Sequence, residues 1–294
     1  MTSARDVKSG KSSSDENFPV ASGLISARHR APIMAFYRFA RAADDVADNP
    51  VLNEAEKFRL LDGLEATLLG KSDADSEALP LRRALADRKL GSGHALELLA
   101  AFRQDVTKSR YNDWDELMQY CRLSAMPVGR FVLDVHGEHR STWGPSDDLC
   151  AALQVINHLQ DCGKDYRAMN RVYVPLDVLT RHGARVEELG AAKASPSLRA
   201  CLAELTAKTA ALMPKAGELP RVVHDPRLSA ETGVIVALAN RILQLLAVRD
   251  PLSERVHLSK AVALSLAARG TAVAVVGNIS RALFGSRRAT GGSR

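Results

Sequence analysis

Apolar residues recur at intervals of three and four along most of the chain, which is the pattern of amphipathic helices. No segment alternates apolar and polar residues for long; residues 171–179 come nearest, but Pro175 argues against a central strand. We find no internal repeat and no linker long enough to split the chain. The pattern therefore predicts a single all-α domain, with Asn53 and Asp113 as helix N-caps. The predicted helices span residues 31–47, 53–70, 75–88, 92–107, 113–139, 146–168, 196–213, 227–248 and 256–283.

The composition agrees with a helical chain and limits its partners. The 294 residues are 46% hydrophobic and 5% aromatic, and the formal net charge of +6 favours an anionic partner. Zinc-finger spacing, aromatic RNA-binding motifs and a long basic arm are absent, so we expect no nucleic acid. None of the four cysteines belongs to a CxxC pair, which is typical of buried thiols in a reducing compartment.

The two ends of the chain differ from its middle. The first residues lack the apolar core of a secretory signal and predict a disordered tail. The apolar stretch 261–284 is interrupted by Arg269 and Asn278, and it predicts either a core helix or a helix lying on an anionic membrane surface. We expect a cytoplasmic protein, with peripheral attachment to the inner face of the membrane as an alternative. The expected division is a disordered N-terminal tail, one helical domain and a basic disordered C-terminal tail, at residues 1–15, 16–284 and 285–294.

The first of two acidic segments ends the predicted helix 31–47. Asp44 and Asp48 stand four residues apart and share one helix face, and Arg41 lies one turn earlier near that face. Two like charges this close repel each other. Mg²⁺ would offset the repulsion, because it prefers oxygen ligands and often binds through one or two carboxylates plus substrate phosphates. Arg41 is then a candidate for holding the phosphate. Taken alone, this spacing is also typical of a solvated acidic helix end.

The second acidic segment favours the metal interpretation. It places four oxygen-bearing side chains along one face over about three helical turns, namely those of Gln154, Asn157, Asp161 and Asp165. The opposite face is expected to carry Leu153, Val155, Ile156 and Leu159. An amide beside an apolar core needs a polar partner, which a metal–phosphate complex would supply. Two such faces opposed across a bundle predict a site for two or three Mg²⁺ ions and a diphosphate, with the metal ligands Asp44, Asp48, Asn157, Asp161 and Asp165.

The chemistry of such a site follows from the charge of the diphosphate. Metal ions and arginine neutralise that charge and make the diphosphate a good leaving group. Its departure leaves a carbocation, which requires an apolar, shaped and largely dry cavity. A di-iron bundle would need two Glu-x-x-His motifs, whereas the chain has one, Glu254–His257, far from both segments. A non-catalytic helical scaffold stays open as an alternative, although it would not need repeated acidic pairs beside amides.

Four motifs in the same order resemble the squalene/phytoene synthase family, over roughly residues 15–250. They comprise Tyr37, Phe39, Arg41, Asp44, Asp45 and Asp48; Tyr120, Cys121, Ala125, Val128 and Gly129; Gln154, Asn157, Asp161 and Asp165; and Arg171, Tyr173 and Pro175. The resemblance implies an isoprenoid-synthase helical bundle with a central apolar cavity and an isoprenoid diphosphate as substrate.

The resemblance also implies roles for single residues. The catalytic residues would be Tyr37, Tyr120, Asp44 and Asp161, with an aromatic face stabilising the cation. Asp45 is expected to support Asp44 rather than to bind metal, and His158 to be structural. The residues expected to contact substrate are Asn17, Phe18, Arg41, Gln154, Asn157, Arg171, Ala125 and Gly129.

Within the family, residues 15–22, 154–162 and 256–260 resemble the hydroxysqualene synthase branch of bacterial hopanoid pathways. Members of that branch convert presqualene diphosphate and water into hydroxysqualene and diphosphate, and they need no NADPH. A further hypothesis is that Asn17 orients the quenching water. Neighbouring pathway enzymes and a membrane surface are further candidate partners. Presqualene diphosphate synthase and squalene or phytoene synthase share the metal-binding residues and remain alternatives.

One position departs from the family pattern. Gln160 stands where many members place an arginine directly before the aspartate of the second segment. We therefore expect Arg171 or Lys164 to replace that phosphate contact.

Overall fold

The computed structural model describes residues 25–258, and within them the chain forms twelve α-helices and no strand. The all-α prediction is thereby confirmed. Residues 171–179, the nearest approach to a strand pattern, contribute one isolated bridge between Arg110 and Val172 before Pro175 opens a helix. The helices are α1 Ala27–Ala47, α2 Glu54–Leu68, α3 Ala78–Arg88, α4 Gly93–Thr107, α5 Trp114–Ser124, α6 Met126–His136, α7 Trp143–Met169, α8 Leu176–His182, α9 Pro196–Ala210, α10 Met213–Ala216, α11 Leu219–Val222 and α12 Pro226–Leu246.

The predicted caps start the helices they were assigned to. The side chain of Asn53 accepts a hydrogen bond from the Glu56 backbone at 3.0 Å, and the Glu56 carboxylate accepts one from the Asn53 backbone at 2.9 Å. Asp113 likewise accepts from the Glu116 backbone at 2.8 Å. These contacts satisfy N–H groups that the first helical turn leaves without partners.

Two predicted helices differ from the structure. The helix expected over 113–139 breaks at Ala125, where the backbone turns to φ −126° and ψ −48°. Pro127 follows at the start of α6, and because proline has no backbone N–H it cannot continue the hydrogen-bond ladder of α5. The helix expected over 256–283 is absent from residues 256–258, and the rest of that range lies outside the described residues.

Helix α6 packs between two apolar clusters. Phe36 of α1 stacks on Phe131 of α6 with 4.0 Å between ring centroids, and the tilted rings of His29 and His136 have centroids 4.1 Å apart. Numbers that rise along one helix therefore fall along the other, so the two helices run antiparallel. Helices α1 to α4 enclose one cluster, and α5, α7, α9 and α12 enclose the other.

A central cavity of about 320 Å³ lies between α1, α6, α7 and α12. Its walls are mostly aliphatic and aromatic, as the resemblance implied, and include Phe36, Leu149, Leu153 and Ile235. Among the helices within residues 25–258, none combines the length and the apolar character needed to cross a bilayer.

Gly129 allows α6 and α7 to approach closely beside this cavity. A Cβ atom at this position would lie 2.4 Å from Ser146 Oγ and 2.6 Å from Cys150 Sγ. Both distances are well below van der Waals contact, so any other residue would force the helices or these side chains to shift. Gly129, which was expected to contact substrate, therefore also sets the distance between two walls of the cavity.

Gly129→Ala should lower the free energy of unfolding by about 1–3 kcal/mol, because the added methyl group overpacks the contact. Urea unfolding followed by helical circular dichroism measures the change. The control is Gly63→Ala on the exposed face of α2, where nothing lies within 4 Å of the added atom. That change should stabilise the protein by about 0.5–1 kcal/mol. Equal effects of the two substitutions would contradict the packing argument.

Candidate active site

The first acidic segment lies on the last turn of α1. Arg41 bridges two of its carboxylates, with Nη1 2.5 Å from Asp44 Oδ2 and Nη2 2.8 Å from Asp45 Oδ1. The Asp45 side chain is buried, whereas that of Asp44 keeps 32% of its surface. Asp45 therefore fixes Arg41 from the protein side, and Asp44 faces the cleft.

The second acidic segment occupies the middle and the C-terminal half of α7. Gln154 and Asn157 line the cavity, and Asp161 and Asp165 follow toward the end of the helix. The residues expected on the opposite face are buried, with the exception of Leu153. Leu153 lines the cavity next to Gln154, so that apolar position belongs to the cavity wall.

Electrostatic coupling shows that the two segments face each other. Burial, together with the charges of Asp161 and Asp48 and against that of Lys164, raises the pKa of Asp165 to about 7. Burial and then the charge of Asp48, against that of Arg41, likewise raise the pKa of Asp44 to about 7. Water still reaches part of the Asp44 carboxyl, but the surrounding protein removes much of its hydration. Asp48 acts on carboxyls from both helices, so the segments line one cleft.

Arg171 reaches this cleft from the segment after α7. Its Nη1 lies 2.5 Å from Asp48 Oδ1, and its Nη2 donates to the Asp105 carbonyl at 3.1 Å. Lys164 Nζ lies 4.0 Å from Asp161 Oδ2 on a side chain that is 62% exposed. Both cations expected to replace the missing arginine are therefore beside the predicted metal ligands.

Gln160, the departure from the family pattern, is buried away from the cleft. Its side-chain amide donates to the backbone carbonyl of Val256. This hydrogen bond holds the segment after α12 against α7. The residue therefore has a structural partner 96 positions away in sequence.

The cavity opens beneath the acidic cleft, and several predicted substrate residues line it. Tyr37, Ala125 and Gly129 lie in its wall together with Gln154 and Asn157. Asn17 and Phe18 lie outside the described residues, so their roles stay predictions.

Tyr120 lies behind the cavity wall. Its ring is 4% exposed, and its hydroxyl donates to Asp105 Oδ2 at 2.9 Å. Its centroid lies 5.3 Å from that of Tyr111 and 5.8 Å from that of Tyr173. His158 stacks on Tyr173 at 3.4 Å, and burial lowers the pKa of His158 to about 3, so its ring is neutral. The geometry gives Tyr120 a role in fixing Asp105.

Two carboxylic acids of this region were missed by sequence analysis. Asp105 connects Tyr120 to Arg171 by its side chain and its backbone, and burial raises its pKa to about 7, against Arg171 and Tyr120. Glu231 of α12 is buried and, among the described residues that line the cavity, it is the one acidic side chain. Neither belongs to a spaced motif, so no pattern of residue types along the chain pointed to them.

Tyr120→Phe should lower the free energy of unfolding by about 1–3 kcal/mol, because it leaves the buried Asp105 carboxyl without its donor. Urea unfolding measures this, and Tyr166→Phe is the control because the Tyr166 side chain is only half-buried. A cost no larger than that of the control would mean that the Tyr120–Asp105 bond contributes nothing.

Comparison with known proteins places this geometry in a family. The squalene/phytoene synthase family profile matches residues 12–262. Hydroxysqualene synthases of Rhodopseudomonas palustris and Zymomonas mobilis are 58% and 50% identical to the chain over 258 and 261 residues, and each comparison covers 88% of both proteins.

Solved structures give the same result. A crystal structure of a squalene synthase from Alicyclobacillus acidocaldarius is 31% identical with a TM-score of 0.69, covering 77% of this chain and 86% of that one. A dehydrosqualene synthase crystal structure has a TM-score of 0.72 at 22% identity, covers 88% and 92% of the two chains, and shares the fold. The chain, with its two facing acidic segments above an apolar cavity, belongs to the squalene/phytoene synthase family.

Proposed function

We propose that the protein is a hydroxysqualene synthase, which converts presqualene diphosphate and water into hydroxysqualene and diphosphate. The observation that carries this proposal is the identity of 50–58% to proteins of that name over 88–89% of their length. Enzymes of this family act on isoprenoid diphosphates. A cleft of carboxylates above an apolar cavity suits such a substrate, since the cleft can hold the metal-bound diphosphate and the cavity can hold the isoprenoid chains.

The donor set of the cleft fits Mg²⁺. Carboxylate and amide oxygens are the ligands that this cation prefers. The pKa values of Asp44 and Asp165 are raised to about 7 because burial and neighbouring carboxylates disfavour the charged forms, and a bound cation would stabilise those charges. When bound, Mg²⁺ would neutralise the diphosphate and make it a good leaving group. The residues that would hold two or three ions are Asp44, Asp48, Asn157, Asp161 and Asp165.

Arg41 and Arg171 position the diphosphate in this proposal. Each guanidinium already lies at 2.5 Å from a carboxylate of the cleft, and the planar fork of arginine matches phosphate oxygens. When the carbon–oxygen bond to the diphosphate breaks, its electron pair leaves with the diphosphate and a carbocation remains.

The cavity then decides the fate of the cation. Its apolar walls exclude bulk water and hold the isoprenoid chains in one conformation. Tyr37, at the cavity wall about two turns before Asp44, presents an aromatic ring near the reacting end. After the cyclopropane rearranges, the oxygen of one water bonds to the cation and a proton is released. No reductant takes part in this sequence, in keeping with the expectation that NADPH is not used.

Location and domain limits remain parts of the proposal. We place the protein in the cytoplasm, with its product released toward the inner face of the membrane, because a thirty-carbon alcohol is apolar. The stretch 261–284 and the tails 1–15 and 285–294 lie wholly outside the described residues, and the domain 16–284 only partly within them, so attachment and domain limits stay predictions.

Product analysis by mass spectrometry tests the activity directly. The pure protein with Mg²⁺ should give hydroxysqualene from presqualene diphosphate and no product from farnesyl diphosphate. Presqualene diphosphate formed from farnesyl diphosphate would instead identify the condensing alternative. Absence of diphosphate release from either substrate would favour a non-catalytic scaffold.

Asp44→Asn and Asp161→Asn should each lower turnover by about a hundredfold or more, because each removes a charge that holds the metal–diphosphate complex. Diphosphate release measures turnover, and circular dichroism checks that the helices remain. Asp62→Asn is the matched control, since Asp62 is 67% exposed and pairs with Arg103 on the surface. Retained turnover in either cleft variant would remove that residue from the proposed metal site.

A further inference from the structure

A second group of metal-ligating side chains lies at the other end of the cavity. His29 begins α1, His136 ends α6, and Asp225 is the N-cap of α12. One potential ligand atom from each lies within 4.8 Å of the other two. Asp44 is fifteen residues further along α1, so at 1.5 Å per residue this group is about 22 Å from the acidic cleft.

The hydrogen bond made by Nδ1 of His136 leaves its other ring nitrogen, Nε2, available to bind a cation. Its Nδ1 lies 2.8 Å from the carbonyl oxygen of Val132, a contact that only a protonated nitrogen makes. Nε2 of the neutral ring then carries a lone pair, and this atom is buried with no hydrogen-bond partner in the described part of the chain. Histidines that bind metal commonly donate their other N–H to a carbonyl oxygen in this way.

Asp225 divides its two carboxylate oxygens between separate tasks. Oδ1 accepts from the backbone N–H groups of Arg227 at 2.9 Å and Leu228 at 3.0 Å, at the start of α12. The Asp225 backbone in turn donates to Glu138 Oε1 at 2.7 Å, which fixes the residue from behind. Oδ2 therefore remains to coordinate a cation.

His29 completes the group from α1. The side chain is buried, with 4% of its surface exposed. Arg28 Nε donates to its Nε2 at 2.9 Å, and Arg88 Nη1 lies 3.4 Å from its Nδ1. A bound cation replaces one of these contacts.

The space beside the group allows that replacement. A cavity of about 340 Å³ is lined by His29, His136, Arg28, Arg88 and Asp134. Arg28 is exposed and Arg88 is half-buried, and Arg88 also donates to the Arg28 backbone carbonyl. Both opposing charges are therefore on long, partly exposed side chains, whereas the three donors are fixed by helices.

We propose that His29, His136 and Asp225 bind a Zn²⁺ ion. Two imidazoles and one carboxylate, with a water in the fourth position, form a tetrahedral set that Zn²⁺ accepts. Imidazole nitrogens favour Zn²⁺ over Mg²⁺, which sets this site apart from the oxygen-lined cleft. The ion would join α1, α6 and α12 where the cavity ends.

Metal titration of the untagged, chelator-treated full chain tests the site, with Zn²⁺ by calorimetry and Co²⁺ by its tetrahedral visible absorption. Asp225→Asn should weaken binding by about tenfold or more while keeping the helix cap, because asparagine caps as well as aspartate. His136→Ala should do the same, and the exposed His139→Ala should not. Zn²⁺ should raise the melting temperature of the wild type but not of Asp225→Asn.

The acidic cleft provides the remaining control. The double variant Asp44→Asn/Asp161→Asn should keep one tight Zn²⁺ ion per chain, because the proposed site does not use the cleft. Loss of that ion in the double variant would overturn the proposal. Unchanged Zn²⁺ affinity in both Asp225→Asn and His136→Ala would overturn it as well. None of these readings depends on the proposed activity, since binding is measured without substrate.

Discussion

The repulsion between carboxylates on α1 and α7 is the constraint to which the rest of the structure is adapted. The charge of Asp48 acts on Asp44 in its own helix and on Asp165 across the cleft. Their mutual repulsion alone would drive these carboxylates apart, since like charges in a partly desolvated site repel each other. Phe36 and Phe39 bury α1 in one apolar cluster, and Ile156 buries α7 in the other. With α6 packed between the two clusters, this burial holds both helices in place despite the cost of the repulsion.

Arginine and tyrosine side chains make that arrangement tolerable. Arg41 neutralises Asp44 and Asp45 from within α1, and Arg171 neutralises Asp48 while anchored on the Asp105 backbone. Tyr120 then holds the Asp105 side chain. The position of the cleft residues therefore depends on a series of contacts that reaches into the core. Loss of the Tyr120 hydroxyl would loosen Asp105, and with it the backbone carbonyl that Arg171 contacts.

Helical spacing made half of this arrangement predictable. Asp44 and Asp48, or Asp161 and Asp165, share a face because four residues complete about one turn, whatever the rest of the chain does. Gln160, Asp105 and Arg171 could not be placed in the same way. Their partners are 96, 15 and 123 residues away, and only the packing of helices brings them together. The break at Ala125 was missed for a local reason, since the apolar pattern runs on through Pro127.

The two ends of the cavity differ in the hardness of their donors, and that difference lets one bundle separate two tasks. Carboxylate and amide oxygens at one end suit a hard cation that substrate brings and product removes. Imidazoles at the other end suit a softer ion that stays. Helix α1 contributes to both sets through His29 and Asp44, which lie about 22 Å apart. An ion bound at the distal end would join α1 to α6 and α12 there, and would limit their separation when a bulky isoprenoid enters the cavity.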